Sequence, residues 1–260
     1  MNFNKKLSSA FIICFSIFSL QLVAQQKNYT VANAHAHNDY LHLIPFHTAF
    51  DAGFGSIEAD VYPVNGILMV SHNKKDIKPE RTLEALYIEP LLNELLKDSS
   101  RKLKLLIDVK EKYAVALQLL LKEIEPLKKY LYSPEQSGNP VMILISGERP
   151  PPAEYKNYPY YIFFDDDLRL KHNEEEWKRV GQVSLSFERY SDWQGVNSPE
   201  DKDKKILQQL VDSVHRKGKT IRFWAAPDTE DSWKMQKELG VDLIGTDEID
   251  ELAEFLKKMP

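Results

Sequence analysis

The sequence predicts a single-domain α/β protein folded as a (β/α)8 TIM barrel. Eight short apolar runs typical of buried strands alternate with longer helical patterns along the 260 residues, which indicates parallel βαβ units. Eight such units are the number that closes a barrel. An open dinucleotide-binding sheet is the competing architecture, but no Gly-x-Gly-x-x-Gly turn follows the first run. There is no internal repeat and no Gly- or Ser-rich linker, so we expect one domain.

The elements follow one another in chain order. Asn65 and Gly66 are typical of a tight hairpin turn, so the second strand is expected to continue into a hairpin at residues 67–71. Strands are predicted at residues 31–34, 56–61, 103–109, 141–146, 160–164, 183–187, 220–225 and 241–245, and helices at residues 82–97, 113–130, 198–217, 231–239 and 249–258.

The first 24 residues have the composition of a secretory signal peptide. Lys5 and Lys6 precede an apolar run over residues 7–23, and the small Ala24 ends it. We predict a signal peptide at residues 1–24 and the barrel at residues 25–260, with an uncleaved membrane anchor as the alternative. Cleavage would remove Cys14, the only cysteine, and with it any disulfide. This predicts a periplasmic or secreted bacterial protein without stable membrane insertion after cleavage.

The charge balance argues against a nucleic-acid partner. The chain has 34 basic and 39 acidic residues and a net charge of −5, whereas a nucleic-acid-binding protein usually has a basic excess. An apolar content of 43 % is sufficient for a folded core. We therefore expect a small-molecule partner, and composition gives no signal for an oligomeric state.

Two histidines mark the end of the first predicted strand. His35 and His37 are two residues apart, and side chains with this spacing share one face of a strand. A single histidine is more often an ordinary surface or packing residue. The spacing and the position of this pair favour a functional site.

Acidic residues repeat this arrangement on the next two strands. Glu58 and Asp60 share one face of the second strand, and Asp108 and Lys110 share one face of the third. Ionised carboxylates at a barrel mouth repel one another and lose hydration, so they need a compensating charge. Oxygen ligands suit a hard divalent cation. The sequence therefore predicts a Mg²⁺ or Ca²⁺ site, with ordinary rim carboxylates as the alternative.

His72 ends the predicted hairpin and is expected to face the same mouth. Two histidines can serve as general base and general acid, while a cation held by carboxylates and a nearby lysine can neutralise a phosphate. The matching reaction is cleavage of a phosphodiester. The base takes a proton from the attacking hydroxyl or water, and the acid protonates the leaving alkoxide.

Seven segments of the chain carry a family resemblance, and they span nearly the whole mature chain in order: residues 34–40 (AHAHNDY), 45–46 (PF), 56–61 (SIEADV), 70–72 (VSH), 82–87 (TLEALY), 106–110 (LIDVK) and the ending, from 222–224 (RFW) to 240–247 (GVDLIGTD). Together they resemble the superfamily of glycerophosphodiester phosphodiesterases and phosphatidylinositol-specific phospholipases C. The nearer match is the branch related to the altered-inheritance-of-mitochondria proteins.

The resemblance implies a metal-dependent phosphoric diester hydrolase acting on a glycerophosphodiester or a phospholipid head group. It implies that His35 and His72 are the catalytic histidines, with His37 as the alternative to His35. The remaining implied roles are metal ligation by Glu58, Asp60 and Asp108 with Asn38 as an additional contact, and substrate binding by Lys110, Trp224 and Arg222.

The sequence departs from the family at two motifs. Glycerophosphodiesterases have His-Arg-Gly after the first strand, whereas this chain has Ala36, His37 and Asn38 after His35. The arginine that would contact the phosphate is therefore missing from that place. His72 is followed by Asn73 where those enzymes usually have Asp. These differences leave the natural substrate open.

Two other functions compete with this interpretation. The His35-x-His37 pair after the first strand, together with Asp247 after the last, also resembles the metal site of zinc-dependent amidohydrolases. Those enzymes need histidines at the ends of middle strands, but His172 and His215 are predicted in helical segments. The second alternative is a barrel that binds a phosphorylated ligand without hydrolysing it.

The acidic run at residues 165–167 is predicted to be a solvated loop.

Overall fold

In the computed structural model, which describes residues 28–258, one sheet closes on itself. Eight parallel strands form the barrel and a ninth, β3, is an antiparallel extension of β2. The ring is closed by pairing of β1 with both β2 and β9. The strands are β1 (Ala34–Ala36), β2 (Ser56–Val64), β3 (Ile67–Val70), β4 (Leu103–Val109), β5 (Val141–Gly147), β6 (Ile162–Asp166), β7 (Val180–Ser186), β8 (Ile221–Trp224) and β9 (Leu243–Thr246). The predicted (β/α)8 barrel is confirmed.

Helices cover the outside of the barrel. Buried apolar side chains of these helices join one large core with the outward-facing residues of the strands. The helices are α1 (His47–Ala52), α2 (Glu89–Lys97), α3 (Tyr113–Glu123), α4 (Glu174–Lys178), α5 (Asp201–Arg216), α6 (Glu230–Leu239) and α7 (Ile249–Lys258).

Alternation along the strands separates this outer core from the barrel interior. On β2, the apolar Ile57, Ala59 and Val61 belong to the outer core, so Glu58 and Asp60 point inward. Lower in the barrel, Leu106, Leu144 and Phe163 form a separate buried cluster. The barrel interior is therefore filled with apolar side chains in its lower part. It is polar at the carboxyl ends of the strands, where barrel enzymes place their sites.

Several predicted boundaries are wrong. Residues 31–33 form a 3₁₀ turn capped by the Thr30 side chain, so the first strand begins at Ala34. The helix predicted at 82–97 begins with a π-helical turn, Glu84–Ile88. The helix predicted at 113–130 ends at Glu123, and Glu125–Tyr130 is a 3₁₀ helix with Pro126 in its first turn. His172 lies between β6 and α4 rather than in a helix.

The predicted signal peptide, residues 1–24, lies outside the described residues. Within residues 28–258, no helix has both the length and the apolar character needed to cross a bilayer.

Candidate active site

A cavity of about 350 Å³ opens at the carboxyl ends of the strands. Its wall includes eight of the residues proposed from the sequence: His37, Glu58, Asp60, His72, Asp108, Lys110, Arg222 and Trp224. His35 is absent from this wall and fully buried. The barrel thus brings nearly all the predicted site residues into one cavity.

Three carboxylates form the centre of this cavity. Glu58, Asp60 and Asp108 each offer one oxygen, and these atoms lie within 4.8 Å of one another. Asp60 and Asp108 are direct partners in the register between β2 and β4. Gly147 leaves room for Asp108, because a Cβ there would lie 2.3 Å from its Oδ1. Among residues 28–258, this is the cluster of acidic, histidine or cysteine side chains suited to a metal ion.

The chain itself supplies part of the compensating charge. Lys110 Nζ lies 2.8 Å from Asp60 Oδ2 and 3.2 Å from Asp108 Oδ1. Arg222 Nη1 lies 3.0 Å from Glu58 Oε2. Each carboxylate therefore has one oxygen in an ion pair, and the described residues provide no hydrogen bond to the other oxygen of Glu58, Asp60 or Asp108.

Burial and neighbouring charges separate the pKa values of these three groups. Burial raises the pKa of Asp108 to about 6, despite the opposing charge of Lys110. Burial also raises the pKa of Asp60. Burial acts in the same direction on Glu58, but Arg222 and His35 outweigh it and hold the pKa of Glu58 below its usual value. Glu58 therefore stays ionised at ordinary pH, whereas ionisation of Asp60 and Asp108 is less favourable than in water.

His35 and His37 lie in different surroundings. His35 contacts Ser56 Oγ (Nδ1, 2.8 Å), Glu58 Oε2 (Nε2, 2.8 Å) and the guanidinium of Arg222. Burial and the charge of Arg222 lower the pKa of His35 to about 3, so this ring is neutral at ordinary pH.

His37 reaches the cavity, half-exposed, with Nδ1 2.8 Å from Asp247 Oδ1. Burial lowers the pKa of His37, but the hydrogen bond to Asp247 and the charge of Glu58 outweigh it and raise that pKa overall. A histidine oriented by a carboxylate through Nδ1 presents Nε2 for proton transfer.

His72 faces the cavity from the far side of Asp60. It is exposed, and its Nδ1 lies 3.3 Å from Asp60 Oδ2 and 3.2 Å from the Tyr40 hydroxyl. That hydroxyl also lies 2.6 Å from Asp60 Oδ2 and from Asn38 Oδ1. Tyr40 is a site residue that was not predicted from the sequence, and its position three residues after His37, which directly follows β1, was the available signal.

Asn38 and Arg222 also make contacts with other site residues. The Asn38 amide donates to Asp247 and its oxygen accepts from the Tyr40 hydroxyl, so Asn38 lies beside the carboxylates. Arg222 is buried, contacting Glu58, His35 and Ser184, which makes it a support for Glu58. Trp224 ends β8 half-exposed at the mouth.

The acidic run at residues 165–167 is the main error of the sequence analysis about the site. Asp165 and Asp166 are buried in the cavity wall, because β6 continues to Asp166 instead of ending at Phe164. Burial raises the pKa of Asp165 to about 6. Asp167 pairs with Arg149 at 3.2 Å. Acidic residues directly after a barrel strand were the signal for these positions.

Comparison with known proteins finds a matching family and related sequences. Residues 24–98 match the family described as the AIM6-like phosphodiesterase domain. The predicted resemblance is confirmed. The altered inheritance of mitochondria protein 6 homolog of Arthroderma benhamiae is 28 % identical over 83 % of this chain and 81 % of its own length. Altered inheritance of mitochondria protein 6 of Eremothecium gossypii is 26 % identical over 86 % of this chain and 69 % of its own length.

Two solved structures share the barrel fold. A glycerophosphodiester phosphodiesterase from Parabacteroides distasonis superposes with a TM-score of 0.55 and 14 % identity, over 90 % of this chain and 98 % of its own. A calcium-dependent phosphoinositol-specific phospholipase C from Pseudomonas sp. superposes with a TM-score of 0.53 and 13 % identity, over 85 % of this chain and 91 % of its own. Both superpositions show that the chain shares the TIM-barrel fold of these structures.

The expected bacterial export is wrong. The curated relatives that match most of the chain are fungal proteins, which contradicts a periplasmic or secreted bacterial protein.

Proposed function

We propose that the chain is a metal-dependent phosphoric diester hydrolase acting on a glycerophosphodiester or phospholipid-head-group-like substrate. One observation carries the proposal: Glu58, Asp60 and Asp108 lie within 4.8 Å of one another in a cavity that two reachable histidines also line. The family relationship supports the same reaction class.

The donor set fits a hard divalent cation such as Mg²⁺ or Ca²⁺. All three candidate ligands are carboxylates, two of them are buried, and each keeps an oxygen outside its ion pair. The raised pKa values of Asp60 and Asp108 show that their negative charge is incompletely compensated by Lys110. When bound by these residues, the cation would supply positive charge to a phosphate oxygen.

His37 and His72 are the proposed base and acid. Both are exposed to the cavity, and each is oriented by a carboxylate, His37 by Asp247 and His72 by Asp60. One would take the proton of the nucleophile and the other would protonate the leaving alkoxide. His35, which is sealed beneath them, would hold Glu58 in place.

Lys110 and the mouth residues complete the proposed substrate site. The Lys110 ammonium faces the cavity between Asp60 and Asp108, where it would attract the phosphate. Trp224 offers an apolar face for the group esterified to the phosphate.

Metal-stripped full-length chain tests the proposal with bis(p-nitrophenyl) phosphate and titrated Ca²⁺, Mg²⁺ or Zn²⁺. We expect turnover that depends on Ca²⁺ or Mg²⁺ and is lost in Asp108→Asn and in His72→Ala. His215→Ala is the matched control, because His215 pairs with Asp242 and does not line the cavity. Turnover that needs no metal or persists in both site variants would contradict the proposal. Binding of the cation and of a diester without turnover would instead identify a phospho-ligand-binding barrel.

A further inference from the structure

A loop with three exposed apolar side chains stands beside the cavity. It joins β1 to α1 and carries Leu41, Leu43 and Ile44, which are 69 %, 97 % and 57 % exposed. Tyr40, which directly precedes Leu41 in the same loop, reaches Asp60 through its hydroxyl. The apolar loop therefore begins at the wall of the candidate active site.

The base of this loop is firmly held. Asp39 Oδ2 accepts hydrogen bonds from the Phe46 amide (2.6 Å) and the Tyr87 hydroxyl (2.9 Å). Phe46 is fully buried, and Thr48 donates through its amide and its hydroxyl to the carbonyl of Ile44. We call Leu41, Leu43 and Ile44 the apex of the loop. The backbone on both sides of this apex is fixed, so its apolar side chains are held in solvent although the core lies below them.

Other exposed apolar residues surround the same end of the barrel. Four lie at the carboxyl end of a barrel strand, or between that strand and the next helix or in its hairpin: Ile67, Leu170, Val196 and Trp224. With the three of the loop, this end carries seven of the eleven exposed large apolar residues in residues 28–258, the others being Leu96, Val115, Tyr160 and Ile206. Scattered exposed apolar residues are normal, whereas their concentration on one face marks an interaction surface.

Basic residues lie next to the apolar loop. The segment 73–81 contains Lys74, Lys75, Lys78 and Arg81 against only Asp76 and Glu80. Arg81 donates to the carbonyl of Tyr40, which holds this segment against the loop. Lys75 and Lys78 are exposed and make no ion pair within residues 28–258, whereas Lys74 pairs with Glu111. Exposed lysines beside inserted apolar side chains are typical of surfaces that bind anionic membranes.

We propose that this end of the barrel docks on an anionic phospholipid bilayer. Leu41, Leu43 and Ile44 enter the lipid interface, and Lys75 and Lys78 contact the head groups. A bilayer is favoured over a protein because the loop is a projecting apolar apex, which lipid accepts without a complementary groove. Trp224 at the rim suits the same interface, where tryptophan is enriched. Docking goes beyond the proposed hydrolysis and does not require it.

A fluorophore at the apex tests the docking. In full-length Cys14→Ser chain, which has no other cysteine, Leu43→Cys is labelled with an environment-sensitive dye. Leu96→Cys on α2 is the matched control, since Leu96 is 63 % exposed and away from the barrel mouth. We expect a blue shift and a gain of emission at position 43 with phosphatidylcholine vesicles that contain phosphatidylserine, and neither change at position 96. Lys75→Glu combined with Lys78→Glu should abolish the shift.

Three results would overturn the docking. The first is no shift at position 43, and the second is an equal shift at positions 43 and 96, which means nonspecific adsorption. The third is a shift that appears without vesicles as protein concentration rises, which means that a second copy of the chain covers the loop. The labelled chain carrying Asp108→Asn should still dock, so loss of hydrolysis and loss of docking are separate outcomes.

Discussion

At the scale of single residues, His35 and His37 have opposite relations to solvent. His35 is fully buried with its pKa lowered to about 3, whereas the half-exposed His37 faces the cavity. We predict that His37→Ala lowers turnover by about 10²–10⁴-fold, the usual contribution of a general acid or base. Added imidazole should restore part of this activity, because the space left by His37 opens to solvent. The measurement is turnover of a soluble diester with increasing imidazole.

His35→Ala is the matched comparison for this rescue experiment. Its site is sealed, so imidazole should restore nothing, and loss of the contacts to Ser56 and Glu58 should lower thermal stability. Rescue of His35→Ala combined with no rescue of His37→Ala would show that the proposed assignment is reversed.

Arg222 gives the second prediction at this scale. Arg222 and Glu58 form an ion pair in which both side chains are buried. Removing one partner leaves the other charge buried and unpaired, so we predict that Arg222→Met lowers the free energy of unfolding by about 3–5 kcal/mol. Denaturant titration at pH 7 measures this. The double variant Arg222→Met/Glu58→Gln should recover part of the loss.

Arg169→Met is the control for this prediction. Arg169 pairs with Asp167, but its side chain is largely exposed, and exposed pairs contribute about 0–1 kcal/mol. A cost for Arg222→Met no larger than that for Arg169→Met would contradict a supporting role for Arg222.

The three carboxylates that sequence reasoning placed in the cavity share one property. Glu58, Asp60 and Asp108 lie on strands whose apolar alternation identifies the inward face. The role of Arg222 was not accessible in this way, since alternation gives the face of a side chain and not its partner across the barrel. Asp165 was missed because strand ends are less clearly marked than strand centres.

At the scale of elements, a half-buried carboxylate holds the edge strand β3. Glu123, the last residue of α3, accepts a hydrogen bond from the Leu68 amide at 3.1 Å, while its Oε2 is buried without a hydrogen-bond partner. Burial raises the pKa of Glu123 to about 7. The folded state therefore binds this proton more tightly than the unfolded state does, and the contribution of Glu123 to stability falls as pH rises from about 4.5 to 7.

We predict that Glu123→Gln stabilises the protein above pH 7 and changes little at pH 5. The amide keeps an acceptor for Leu68 and removes the buried charge. With a discount for partial solvent screening, the gain should be about 1 kcal/mol, or about 2–4 °C in Tm. Thermal unfolding at pH 5 and pH 8 measures it, with the exposed Glu125→Gln as control. An equal gain at both pH values would rule out the ionisation of Glu123 as its cause.

The elements themselves were predicted unequally well. β4 matches its prediction at both ends because five of its seven residues are apolar and the two polar ones, Lys104 and Asp108, share one face. The first strand was displaced, since Val31–Asn33 is apolar enough for a strand but is closed into a 3₁₀ turn by Thr30 and Asn33. Side-chain caps of this kind compete locally with a strand pattern.

At the scale of the whole molecule, barrel closure assembles groups that are far apart in sequence. Asp247, after the last strand, reaches His37, after the first, at 2.8 Å. The number and alternation of strands predicted this closure. The full set of charged groups at the mouth was not predictable, because it includes segments such as 165–167 whose burial follows from the three-dimensional arrangement.

The proposed cation should stabilise the entire barrel. Its ligands lie on β2 and β4, and a ligand that binds only the folded state at about 100 times its Kd adds about 2.7 kcal/mol. For a domain of this size, this corresponds to a rise in Tm of about 5–10 °C. Lys110 compensates part of the charge of Asp60 and Asp108, so Lys110→Met should lower the Tm of metal-stripped protein and enlarge the rise on adding Ca²⁺ or Mg²⁺. Asp108→Asn should reduce that rise. Thermal unfolding of the unsubstituted chain, Lys110→Met and Asp108→Asn, each with chelator and with each metal, measures these changes in Tm. An identical rise in Asp108→Asn and in the unsubstituted chain would place the cation elsewhere.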